Sequence, residues 1–289
     1  MSAVTKPLDP AGRSIMGSMI CALLNDRTSS RTILGAADQL ADLVGHLQIS
    51  ALAIRAEPSD VIGSTEDMLS EDDEQKIRAE EDRRVRSLHW AFKTWLANAD
   101  RADPPCWIDR EGNIKALIKG YGRTAAYFVA GQPGRTINCA EKKQICAALF
   151  QCGKPVLVTP PRAQAGFGRS VAMIWRGYRN ARDIISAAMP IFSQADEIHV
   201  LVDSIRPTPD ILIAELFATH YARLHIHRPR AGFSLRNAGA TVLDIVRKAD
   251  ADLLVMNACA KPTWPMPFLY GSATEFILKN STIPILLGR

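Results

Sequence analysis

SIMGSMICALLNDRTSSRTILGAADQLADLVGHLQISALAIR, residues 14–55, decides the fold. Its first part is an apolar run that ends in polar turn residues, which reads as a buried strand. RTILGAADQLADLVGHL then spaces its apolar residues as an amphipathic helix does, and ISALAIR is a second apolar strand. Strand, helix, strand in this order is a βαβ unit. The near-continuous apolar character of both strands predicts a parallel sheet covered on both faces.

Working outward, residues 1–13 mix Pro, Asp, Gly and Lys without periodicity and read as a flexible N-terminal arm. From about Thr65 to Ala99 interleaved acids and bases carry apolar residues at helical intervals, which predicts a long surface helix whose charges face solvent. CWID, a turn at Arg110 to Gly112, a helix over IKALIKGYG and the strand AAYFVAG follow. A helix through about Phe150 and the strand PVLVTPP close the half. PPRAQAGFGR has the composition of a linker, placed at 161–169 between a first domain over 14–160 and a second over 170–289. In the second half SVAMIW, ARDIISAAMPIFS and EIHVLVDS repeat the opening strand, helix and strand. DILIAELFATHYA, RLHIHRP, AGATVLDIVRKA, ADLLVMN, GSATEFILKN and IPILLG then alternate helix and strand. The expectation is an α/β protein of two tandem Rossmann-like domains, each a five-stranded parallel sheet flanked by helices.

Composition narrows the classes of function. At 289 residues with 47% hydrophobic and 22% charged residues, the chain can bury two ordinary cores. A net charge of +5 without a local basic patch argues against a nucleic-acid partner. No apolar run approaches the ~20 residues needed to cross a bilayer, so no membrane partner is expected. Cys21, Cys106, Cys139, Cys146, Cys152 and Cys259 lack metal-type pairing, and no signal peptide precedes them. They read as reduced, buried thiols of a cytoplasmic protein. No G-x-S-x-G, HExxH or paired Cys and His motif supports hydrolytic or nucleophilic chemistry.

The stretches WRGYRNARDIISAAMPIF, EIHVLVDS, DADLLVMN and YGSATEFILKNSTIPILLGR, with AGQPG and ALFQCGKPVLVTPP in the first half, resemble the universal stress protein family in its bacterial tandem form. The resemblance implies a stress-response protein whose halves form an intramolecular pseudo-dimer through their last strands, PVLVT and IPILL, with a further homodimer as an option. It also implies a site for ATP or another adenine nucleotide outside the carboxyl ends of the strands, where a G-x2-G-x9-G-(S/T) loop presents backbone N–H groups to phosphates.

This chain departs from that pattern in both halves. In the second, Asn257 and Ala260 occupy the glycine positions. The following stretch is one residue longer than the pattern and contains Pro262, Pro265 and Pro267, which lack N–H donors. Gly271 and Ser272 survive, with Thr274 just beyond. In the first, Gly131 and Gly134 fit G-x2-G, but EKKQIC stands where the Gly-Ser pair belongs. Asp26 ends the first strand where the family commonly has an acid, Arg176 stands at the equivalent place in the second half, and Val202 ends that half's second strand. Trp175 and Trp264 fall beside the nucleotide position and read as core residues. His225 and His227 alternate on one strand, and with no Cys, Asp or third His at ligand spacing they read as a partly exposed strand face. The expected function is therefore a non-enzymatic stress-response or regulatory protein with degenerate nucleotide loops, acting on an unidentified protein partner or small ligand. The alternative is an ATP-binding protein with slow ATPase activity through Gly271, Ser272 and Thr274.

Overall fold

The computed structural model describes residues 18–55, 70–99, 101, 103–134, 140–162, 165–175, 178–202, 210–217, 223–228, 238–258 and 272–289. In the first half β1 (Met19–Leu24), α1 (Arg27–Leu43), β2 (Gln48–Arg55), α2 (Glu71–Leu96), β3 (Cys106–Glu111), α3 (Ile114–Tyr121), β4 (Ala125–Gly131), α4 (Ala140–Cys146) and β5 (Val156–Thr159) follow one another. A π-helical turn, Ala147–Gln151, extends α4. The second half runs β6 (Ser170–Trp175), α5 (Tyr178–Phe192), β7 (Glu197–Val202), α6 (Asp210–Phe217), β8 (Arg223–His227), α7 (Ala238–Lys248), β9 (Leu253–Asn257), α8 (Ser272–Asn280) and β10 (Ile285–Gly288).

Ten strands form one sheet in the order β3-β2-β1-β4-β5-β10-β9-β6-β7-β8. Read outward from the middle, both halves have the same order, so the duplication visible in the sequence is a duplication of topology. Pairing is parallel except at the seam, where β5 and β10 run antiparallel with Leu157 opposite Leu286. Each half is thus a five-stranded parallel Rossmann-like unit, and the two join edge to edge. β1 and β4 are buried along nearly their whole length, as strands covered on both faces must be.

Two apolar layers sandwich the sheet. One holds Leu34, Leu40, Val85, Phe92, Phe192 and Ile213 from α1, α2, α5 and α6. The other holds Ile118, Leu149, Val242 and Ile277 from the α3, α4, α7 and α8 side. Both layers run through both halves. Further contacts stitch the halves together: the Tyr127 hydroxyl of β4 donates to the Ala187 carbonyl of α5 at 2.6 Å, and Gln194 donates to Leu43 O at 2.7 Å. The segment joining the halves is also docked. Phe167 is buried, and the Asp252 carboxylate accepts the N–H groups of Gly168, Arg169 and Ser170.

α2 differs from the other crossovers in length. Ser70 caps it, acids fill its first turn and Lys93 lies in its last, all favourable to the helix dipole. Its 26 residues span about 39 Å, whereas the eight of β2 span about 26 Å. Its buried residues, Val85, Leu88 and Phe92, all lie in the second half of the helix. The first half therefore projects past the carboxyl edge of the sheet, which is why its charges face water as the sequence predicts.

Candidate functional site

In a doubly wound sheet the crevice for a ligand opens at the carboxyl ends of the strands where the order reverses. Here that place is between β1 and β4 in the first half and between β6 and β9 in the second. The first is formed by Asn25 and Asp26 after β1, by Gly131 to Gly134 at the end of β4, and by the overhanging α2.

The chain's own side chains occupy this first crevice. Asn25 and Gln144 exchange both amide hydrogen bonds, at 2.8 and 2.9 Å, and Gln144 is 1% exposed. Arg84 reaches down from α2 and donates to the carbonyl oxygens of Asn25 (3.0 Å) and Ile54 (2.6 Å), while Glu81 accepts two bonds from the same guanidinium. Arg55, at the end of β2, forks onto Asp109 at 2.8 and 2.6 Å and also pairs with Asp82. Arg27, the first residue of α1, lies over the Trp90 ring of α2 at 4.2 Å. The carbonyls of Asn25 and Ile54 and the Asn25 side chain are therefore already hydrogen-bonded within the chain.

Asp26 is the N-cap of α1. Its carboxylate accepts Ser29 N at 2.9 Å and the hydroxyls of Thr28 and Ser29. Partial burial pushes its pKa up, but the bonds from Ser29 and Thr28 outweigh this and hold it below the ordinary carboxylate value. The pattern was readable: an Asp before T-S-S at the start of an apolar-periodic run is an N-cap signature.

Gly131 and Gly134 have no positive φ. A Cβ at Gly131 would sit in ordinary contact with Ile33 and Ser29, and one at Gly134 would meet nothing within 4 Å. Between them, Gln132 donates its side-chain amide to Leu278 O and to Ser281 O, so the GQPG turn ties β4 to the end of α8 in the other half.

In the second half, Val202 is fully buried at the end of β7 and Trp175 is buried in the core. Asn257 ends β9 and donates to Arg289 O at 3.2 Å. Ser272 begins α8, and Thr274, in the first turn, is 3% exposed. Arg176, Ala260, Trp264 and Gly271 lie outside the described residues. Cys21 and Cys146 are buried as expected, but Cys106 is exposed at the start of edge strand β3.

His225 and His227 do lie on the partly exposed face of edge strand β8, where the structure adds a third imidazole that their spacing does not show. His199 of β7 stands beside both, its ring stacked on His225 with centroids 4.7 Å apart. The pairing of β7 with β8 sets this, and spacing along the chain does not show it.

Fold and crevices together define a doubly wound α/β protein with Arg84 and the Asn25–Gln144 pair at the strand ends of its first half. Solved structures bear on what such a chain is similar to. A universal stress protein from Archaeoglobus fulgidus DSM 4304 superposes with a TM-score of 0.65 at 11% identity, over 95% of this chain and 97% of that one. A protein of Pseudomonas aeruginosa UCBPP-PA14 assigned to the universal stress proteins matches with a TM-score of 0.54 at 15% identity, over 94% and 93%. The cytoplasmic domain of a prokaryotic cation chloride cotransporter matches with a TM-score of 0.51 at 14% identity, over 94% of each chain. The chain thus shares the fold of these universal stress proteins. No family model matches it, and no curated protein matches it in sequence. No described helix is long and apolar enough to cross a membrane.

Proposed function

We propose that this protein is a non-enzymatic stress-response or regulatory protein of the universal stress protein type, which works by binding a partner protein or small ligand and does not turn over nucleotide. The observation that carries the reading is the filled first crevice. Arg84 is bonded to the carbonyls of Asn25 and Ile54 at the ends of β1 and β2, and the Asn25 and Gln144 amides are bonded to each other beside them. A nucleotide entering there would have to break charge-assisted and buried hydrogen bonds without a glycine loop to offer replacements. The sequence of the second loop, with Asn257, Ala260 and three prolines, points the same way. The proposal takes 14–160 and 170–289 as the two units of an intramolecular pseudo-dimer acting in the bacterial cytoplasm.

Equilibrium binding of labelled ATP, with and without Mg²⁺, tests this. The expected result is no saturable binding in the low micromolar range, and none gained from Mg²⁺. Low micromolar binding by the unmodified protein would overturn the proposal in favour of an ATP-binding protein with slow ATPase activity through Gly271, Ser272 and Thr274.

A further inference from the structure

Glu197 and His199 alternate along β7, and Arg223, His225 and His227 alternate along the edge strand β8. The register sets Glu197 opposite Arg223, His199 opposite His225 and Leu201 opposite His227, so all five polar side chains share one face of the sheet. Arg223 takes one carboxylate oxygen of Glu197 at 2.5 Å. The other oxygen is left 3.4 Å from Nε2 of His199 and 3.7 Å from Nε2 of His225. His199 is 5% exposed, and its Nε2 is a buried atom with no hydrogen-bond partner. Its Nδ1 lies 3.1 Å from Nε2 of His227.

We propose that Glu197, His199 and His225 form a binding site for a divalent first-row transition ion of the Zn²⁺ kind, with His227 holding His199 in position from behind. The three ligand atoms lie within 4.8 Å of one another. Tetrahedral bonds of about 2.0–2.1 Å place ligand atoms roughly 3.4 Å apart, which the carboxylate oxygen already approaches with each imidazole. Binding would close the gap between the two imidazoles by a turn of His225, whose side chain is 45% exposed on the edge strand.

The environment of His199 favours a cation. In the tautomer whose Nδ1–H donates to His227, the Nε2 lone pair faces the Glu197 carboxylate oxygen at 3.4 Å, an arrangement that a metal ion converts into two bonds. A metal-ligating histidine usually has its other ring N–H held by a hydrogen-bond acceptor. Two imidazoles and one carboxylate suit Zn²⁺, Co²⁺ or Ni²⁺ and not the all-oxygen preference of Ca²⁺ or Mg²⁺. The Arg223 guanidinium opposes the ion, but it holds the far carboxylate oxygen and its side chain is 76% exposed. The duplication does not require the cluster, since the corresponding places in the register of the first half hold Gln48, Ser50, Cys106 and Ile108.

The full chain, stripped with chelator, is titrated with Co²⁺ and Zn²⁺, following the visible ligand-field absorption of Co²⁺ and the binding heat of Zn²⁺. One equivalent of Co²⁺ should produce a four-coordinate spectrum that Zn²⁺ abolishes. His225→Ala and Glu197→Gln, both at partly exposed positions, should keep the native circular dichroism and lose the spectrum. His227→Ala should keep the spectral type and weaken affinity about 10–100-fold, while His46→Ala should change nothing. The site is refuted if the unmodified protein takes up neither ion at micromolar concentration. It is equally refuted if folded His225→Ala and Glu197→Gln bind as the unmodified protein does.

Discussion

Replacing Asn25 by Ala isolates the buried amide pair, because the Arg84 bond to residue 25 goes to its backbone carbonyl and survives the change. Gln144 would then keep an N–H and a carbonyl oxygen, both previously bonded to Asn25, in a place where it is 1% exposed. An orphaned buried amide costs about 1–3 kcal/mol, which for a chain of this size is a fall in Tm of roughly 2–6 °C. Gln144→Ala should cost a similar amount for the mirror-image reason. The double variant removes both partners and leaves no orphan, so it should be more stable than the sum of the single effects by about 1–3 kcal/mol. Urea unfolding of the four proteins, followed by circular dichroism, measures this coupling. If the two single effects add to within about 0.5 kcal/mol, the pair is not a coupled buried contact, and the filled first crevice loses its main support.

Two further outcomes follow from packing and charge. Gly239→Ala should destabilise the protein by about 1–3 kcal/mol in chemical denaturation despite the higher helix propensity of Ala, because the new Cβ would lie 2.8 Å from the Phe276 ring and 3.0 Å from Ala273 O. Asp109 is held below the ordinary carboxylate pKa, first by its hydrogen bonds from Arg55, so its contribution is present above about pH 4 and is lost as pH falls through the folded value. Asp109→Asn should therefore lower stability by about 0.5–1 kcal/mol at pH 7, with the difference from the unmodified protein shrinking in denaturation midpoints below pH 4.

The sequence carried the element order because apolar periodicity is a local signal. Residues 19–24 and 48–55 are strands, the intervening helix is amphipathic, and the second half repeats the plan. The charged run was legible in the same way, and the exposed first half of α2 fits it. What could not be read was which charged residue turns inward. Arg84 differs from its neighbours only in sitting where the helix passes the ends of β1 and β2, a matter of crossing position and not of composition. Asp26 carries a local signature, that of an N-cap, at the place where the resemblance implies an acid for a nucleoside. The Asn25–Gln144 pair spans 119 residues, and the meeting of His199 with His225 depends on strand register. Neither leaves a mark in a window of sequence.

The antiparallel seam between β5 and β10 changes what a mutation means for this molecule. Two separate but identical subunits facing each other across such an edge would share every substitution, so a lost glycine or an acquired histidine would occur twice. Fusing the halves into one chain breaks that equivalence. One unit holds Arg84 and a closed amide pair at its strand ends, the other gathers imidazoles along its outer strand, and both still share one continuous sheet. The seam supplies a fixed frame within which a substitution in one half leaves the other unchanged.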